Sequence, residues 1–191
     1  MKISKPRIVV SKCLEFDQCR YNGLSINDSI IRSLKDYVEF IPICPEVEIG
    51  LGTPRDPIRL IYKNKEIILV QPNTKKDITV KMKKFSDQFV NNLGTIDGFI
   101  LKNRSPSCGI YGIRVFDDID KPSVKFKDKG LFAKSILHHF SNFPIEEEGR
   151  LKNTEVREHF FTAIFAIANF RDEVTKPTRG KLIEYHSKNK Y

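Results

Sequence analysis

The chain has 191 residues, 40% of them hydrophobic and 30% charged, enough for one domain whose core needs neither disulfides nor a structural metal as staples. No run approaches the roughly 18 apolar residues of a membrane-spanning helix, and residues 1–12 lack the apolar stretch and cleavage site of a secretory leader. The expected setting is therefore the cytoplasm, where cysteines serve as thiols or metal ligands, and the net charge of +9, from 33 basic and 24 acidic side chains, favours polyanionic partners.

Residues 7–11 (RIVVS) form a β-rich run that stops just before Cys13. A helix is expected to open with Ser25 as N-cap, on the apolar positions Ile26, Ile30, Ile31 and Leu34. Residues 38–43 (VEFIPI) read as a second strand. It runs into Cys44-Pro45-Glu46 and stops there, because proline cannot donate to a ladder. Residues 58–62 and 66–70 flank Lys63-Asn64-Lys65 as a hairpin. Residues 79–93 read as a basic amphipathic helix carrying Lys81, Lys83 and Lys84 and closed by Gly94. A third strand, residues 97–101, leads into the turn NRSPSCG (103–109), and helices are expected over 130–140 and 154–173. Strand alternating with helix predicts the α/β class: a three-layer, Rossmann-like domain with a mainly parallel sheet over residues 1–150, with C-terminal helices added. Residues 151–174 are expected to pack on that domain, and the tail from Thr175, with Lys176-Pro177 and Arg179-Gly180, reads as a linker.

Three of the four cysteines share one kind of position. Cys13, Cys44 and Cys108 each lie just past the C-terminal end of an expected strand. In open α/β sheets that edge is where ligands bind, and parallel strands would bring cysteines 31 and 64 residues apart to it. Three thiolates suit a metal centre with an open position, and soft sulfur ligands select iron–sulfur, zinc or copper(I). The bland alternative for any one of them is a small buried hydrophobe, and the spacing matches neither the paired C-x-x-C of zinc sites nor a ferredoxin run. The four histidines have no paired ligand motif and read as structural.

The words around these cysteines carry more. SKCL (11–14), RYNG (20–23), CPEVEIGLGTPR (44–55), DIT (77–79) and NRSPSCG (103–109) resemble, in order, the bacterial and archaeal family of thiouracil desulfidases. FPIEEEGRL (143–151) and VREHFF (156–161) resemble the variant of that family fused to a second domain, a desulfidase for thiouridine in transfer RNA. By this resemblance residues 175–191 are a linker and the start of a truncated partner domain. The resemblance also implies a 4Fe–4S cluster held by Cys13, Cys44 and Cys108, with the fourth iron free of a protein ligand and Cys19 outside the scheme, in a loop or core role. A thiolated uracil, in tRNA by preference and as the free base second, would lose its sulfur as sulfide without net electron transfer. Glu46 matches the family's catalytic glutamate and Ser105 its serine near the substrate ring. Ser107 would donate to a cluster sulfur or hold the turn, and Gly109 would give backbone freedom beside the cluster. Arg55 is expected either to grip a substrate oxygen or phosphate or to pin its loop to a carboxylate. Tyr21, beside Arg20, stacks on a base or simply packs. Phe16 stands where the family commonly has glycine and is expected to narrow the pocket mouth.

Two other readings fit the residues. One is a non-catalytic RNA-binding module that keeps a structural metal. The other is a metal-free enzyme with Cys108 as nucleophile, for which only Arg104 is close in sequence as an activating cation. Oligomeric state is not legible.

Overall fold

The computed structural model of the chain describes residues 4–174 and 178–188. Nine strands and six helices lie among these residues: β1 (Arg7–Ser11), α1 (Ser29–Leu34), β2 (Glu39–Ile43), α2 (Pro45–Glu48), β3 (Arg59–Lys63), β4 (Glu66–Gln71), β5 (Lys76–Asp77), α3 (Thr79–Asn92), β6 (Gly98–Leu101), β7 (Ile113–Phe116), β8 (Val124–Asp128), α4 (Leu131–His139), β9 (Ile145–Glu147), α5 (Thr154–Glu173) and α6 (Arg179–Lys188). The expected linker signal Lys176-Pro177 lies outside the described residues, and α6 occupies much of the stretch that follows it.

The first sheet has the order β2-β1-β6-β9 and is parallel throughout. Its central strands carry the unbroken apolar runs Ile8-Val9-Val10 and Phe99-Ile100-Leu101 because both faces are covered. The period of two sorts them: Val9, Phe99 and Leu101 enter the core shared with α3 and α4, whereas Ile8, Val10 and Ile100 enter the core shared with α1 and α5. Helices on both faces of a parallel sheet make the three-layer α/β arrangement expected from the alternation. Pro42 sits in β2, which pairs on one side only, where a missing donor is tolerated.

The second sheet, β5-β4-β3-β7-β8, is mixed. Its hairpin β3–β4 turns on Asn64 and Lys65 at φ 51° and 67°, the left-handed pair of a type I′ turn. Leu60, Leu69, Ile113 and Val115 deliver one face of this sheet to the α3–α4 core.

The helix α1 departs from expectation. Asp28, not Ser25, is its N-cap, accepting from the N–H groups of Ile30 and Ile31 at 3.0 Å. Ile26 instead bridges Leu14 in a short parallel contact. Among the described residues no helix is long and apolar enough to cross a membrane.

Candidate active site

Because β2, β1 and β6 are neighbours and parallel, their C-terminal ends form one edge. Cys13 follows β1, Cys44 caps α2 directly after β2, and Cys108 sits on the loop after β6. All three line a single cavity of about 830 Å³. Cys19 lines it too. Expected outside the constellation in a loop or core role, this cysteine is 3% exposed and hydrogen-bonded to the thiols of Cys13 and Cys44. Spacing gave no hint of this, since Cys19 follows no strand and arrives through the RYNG loop.

The loop carrying Cys108 is built by its own polar groups and by α4. Arg104 takes a left-handed φ of 57°. The Ser105 carbonyl accepts from Gly109 N–H at 2.8 Å, and the Ser105 hydroxyl accepts from the N–H groups of Ser107 and Cys108 at 3.2 and 3.1 Å. The N-terminus of α4 seats the loop: Leu131 N–H donates to Pro106 O at 3.1 Å and Ala133 N–H to Ser107 O at 3.0 Å. Such first-turn donors have no partner inside their own helix. Gly130, the N-cap, lets the helix come this close, because a Cβ there would fall on the Ser107 carbonyl. Gly130→Ala is expected to cost about 1–3 kcal/mol of stability in a denaturant titration, as overpacking against backbone does. Gly109 is needed for space rather than freedom, as its Cβ would meet the Ile113 side chain.

Glu46, on α2, joins the pieces. Its Oε1 accepts from the Ser107 hydroxyl at 2.6 Å, and that hydroxyl lies 2.9 Å from the hydroxyl of Ser105. Its Oε2 accepts from Arg55 Nε at 2.9 Å and Nη2 at 2.7 Å. Arg55, with its side chain 4% exposed, also donates to the carbonyls of Cys19 and Gly52, each at 2.9 Å. Of the two roles expected for Arg55, the structure thus gives it the pinning of a carboxylate and of the Cys19 loop. Ser107 is fully buried and is the direct partner of Glu46, with Ser105 one step further out and lining the cavity. Tyr21 lines the cavity at 46% exposure, with the Arg20 guanidinium 5.8 Å from its ring centre. Phe16 packs edge-on against Phe40 at 5.3 Å, under the Lys35 ammonium, and is not among the cavity-lining residues, so it does not narrow the mouth.

Three of the thiols, Cys19, Cys44 and Cys108, are pushed toward the protonated form. Burial pushes Cys108 up to about 12, helped by the negative charge that Cys44 and Glu46 carry when ionised. The hydrogen bond with Cys13, with burial, pushes Cys19 up to about 11. A hydrogen bond with Cys19 and burial raise Cys44 as well. Metal uptake through these thiols must therefore displace protons.

Among the described residues no group of three or more His, Cys, Asp or Glu is set to close on a single metal ion. Three soft donors at separate strand ends around a roomy cavity fit a polynuclear iron–sulfur cluster, which spreads its thiolates over different irons. Sequence reasoning missed several wall residues. The Ser11 hydroxyl, at the end of β1, accepts from Lys102 N–H at 2.9 Å and hydrogen-bonds the Cys108 thiol. Lys102 and Glu148 pair at 2.5 Å and both line the cavity.

Residues 8–148 match the model of a family described as 2-thiouracil desulfurase. An uncharacterized protein of Bacillus subtilis (strain 168), YbbK, is 32% identical over 111 residues, covering 53% of this chain and 72% of that one. The solved structure of a 4Fe–4S-dependent thiouracil desulfidase, TudS, superposes with a TM-score of 0.60 at 24% identity, covering 83% of this chain and 99% of the other.

Proposed function

Since the chain belongs to the 2-thiouracil desulfurase family, we propose that it is a 4Fe–4S-dependent, non-redox desulfidase that converts a thiolated uracil to uracil and sulfide by hydrolysis. The observation that carries this reading is the meeting of Cys13, Cys44 and Cys108 with the Glu46–Ser107–Ser105 chain at one cavity. Those three cysteines would hold the cluster. When bound, it supplies a Lewis-acidic iron for the soft thiocarbonyl sulfur, which makes the ring carbon electrophilic.

The remaining work falls to the chain itself. Glu46 takes a proton from the attacking water and returns it to the departing sulfur, as a positioned acid–base group does. Ser107 and Ser105 extend its reach by two hydroxyls toward the cavity. Arg55 fixes the carboxylate from the opposite side. A metal-free thiolate mechanism is disfavoured, because Cys108 is 5% exposed and its thiol is pushed up to about 12.

A thiouridine in tRNA is the favoured substrate, with free thiouracil second. Arg104 and Lys152 are exposed cations at the cavity wall, suited to phosphate oxygens that a free base lacks. An RNA base would have to leave its stack to enter. Four free thiols suit the reducing cytoplasm. The resemblance of residues 143–161 to the fused variant agrees with RNA as substrate.

The test is anaerobic reconstitution with iron and sulfide, followed by iron quantitation and sulfide release from 4-thiouridine-containing RNA and from 2-thiouracil. An intact cluster with no release from either ends the reading. On the α3 surface, Lys81, Lys83 and Lys84 are exposed and would guide an RNA backbone. Changing all three to Glu is expected to weaken RNA turnover by about tenfold or more at moderate salt while sparing the free base. Equal loss of both activities would rule out a guide.

A further inference from the structure

Residues 146–148 are three consecutive glutamates, and a run of like charges ordinarily sits in solvent. Here each is buried, at 7%, 5% and 6% exposure. Each has found a different partner. Glu146 pairs with Arg150 at 2.9 Å. Glu148 pairs with Lys102 at 2.5 Å and accepts from Asn103 N–H at 2.7 Å, at the start of NRSPSCG. Glu147 has no ion pair among the described residues. Its Oε1 accepts from two successive backbone N–H groups just past that loop, Ile110 at 2.6 Å and Tyr111 at 3.1 Å.

The two adjacent carboxylates therefore tie the loop at both ends, Glu147 as the last residue of β9, the strand next to β6, and Glu148 directly after it. A buried carboxylate satisfied mainly by peptide N–H groups is costly to keep unless those bonds are strong, and charge-assisted ones are about twice as strong as neutral ones. There is a second effect. Cys108 N–H is taken by the Ser105 hydroxyl and Gly109 N–H by the Ser105 carbonyl. With Ile110 and Tyr111 taken by Glu147, four successive amides, 108 to 111, all donate within the protein. Hydrogen bonds donated to cluster sulfurs raise the reduction potential, and nearby negative charge lowers it.

Resting on the cluster reading above, we propose that Glu147 is a positioning residue with an electronic consequence. It locks the Cys108 loop, and it spends two N–H donors that could otherwise turn to the cluster while setting a carboxylate behind the residues that follow Cys108. The cluster is thereby made hard to reduce, which suits a centre that binds sulfur and transfers no electron.

Two measurements separate this proposal from the cluster reading. In the metal-free chain, hydrogen exchange at the amides of Ile110 and Tyr111 should be slow, and Glu147→Ala should speed it at least tenfold relative to amides in β1. Unchanged exchange overturns the lock. In the reconstituted protein, a redox titration followed by electron paramagnetic resonance should give a higher midpoint potential for Glu147→Gln than for wild type. Glu146→Gln, on the same strand but facing Arg150, should leave it in place. Equal midpoints for wild type and Glu147→Gln overturn the electronic part. A Glu147→Gln chain that stays folded but takes up no iron supports the lock. Failure of the wild type itself to take up iron removes the cluster reading and the electronic part together, while the exchange experiment still decides the lock.

Discussion

Glu46→Gln is expected to lower sulfide release by about 10²–10⁴-fold, the range for loss of a positioned acid–base group. The substitution keeps the shape of the side chain and an oxygen that can accept from Ser107 or from Arg55. It removes the charge and the ability to take a proton. The buried Arg55 guanidinium then loses its ionic partner, and breaking such a pair is destabilising, by about 3–5 kcal/mol where one side chain is deleted outright. A thermal melt of the iron-loaded variant is therefore needed beside the rate. Glu46→Asp gives the complementary arm: it retains charge and proton affinity but is shorter, so it should recover part of the rate. Iron content should match wild type in both variants, because Glu46 is not among the proposed ligands. A Gln variant with normal iron and a rate within about threefold of wild type would mean that protons move by another route, since loss of an acid–base group costs about 10² or more.

The second large effect concerns the thiols. Cys108→Ser should abolish iron retention after anaerobic reconstitution and, with it, all turnover, because a hydroxyl is a hard, weakly acidic ligand where a soft thiolate is required. Cys13→Ser and Cys44→Ser should behave alike. Cys19→Ser is the informative contrast. That cysteine shares the cavity and hydrogen-bonds two of the others, yet the ligand set proposed here does not need it. It should keep its iron and its visible spectrum. Loss of iron in Cys19→Ser with retention in Cys108→Ser would reassign the ligands and dismantle the site as drawn.

Much of this site could be read before its geometry was known, for a physical reason. Cys13, Cys44 and Cys108 each follow an apolar run of strand type, and parallel strands have no choice but to bring those ends to one edge. The three-layer arrangement came from the same alternation. The second sheet was less legible. Its hairpin announces itself through Lys63-Asn64-Lys65, but β7 is only four residues long and β8 is exposed at four of its five positions, too weak a pattern to separate from loop. The α1 cap is ambiguous in sequence because Ser25 and Asp28 are both good N-caps, and only the Leu14–Ile26 bridge decides between them. Least legible were the buried glutamates. Ile145-Glu146-Glu147 carries no strand signature, and its place beside β6 depends on partners distant in sequence: Lys102, Ile110 and Tyr111. Polar residues satisfied by tertiary contacts leave no local trace. The words of the motifs, rather than periodicity, marked Glu46 and Ser105.

Sheet order has a temporal consequence as well. β1 pairs with β6, so Cys13 and Cys108 meet only after a long stretch of chain has been closed into a loop, and Glu147 is added later still. Such non-local pairing is slow and pays its entropy before any contact repays it. A growing chain therefore brings Cys13 and Cys44 together through β1 and β2 first, and Cys108 joins them only when β6 docks beside β1. The three proposed ligands are together only once β6 has docked beside β1, so a chain able to hold a cluster through all of them would be one whose parallel sheet has already closed.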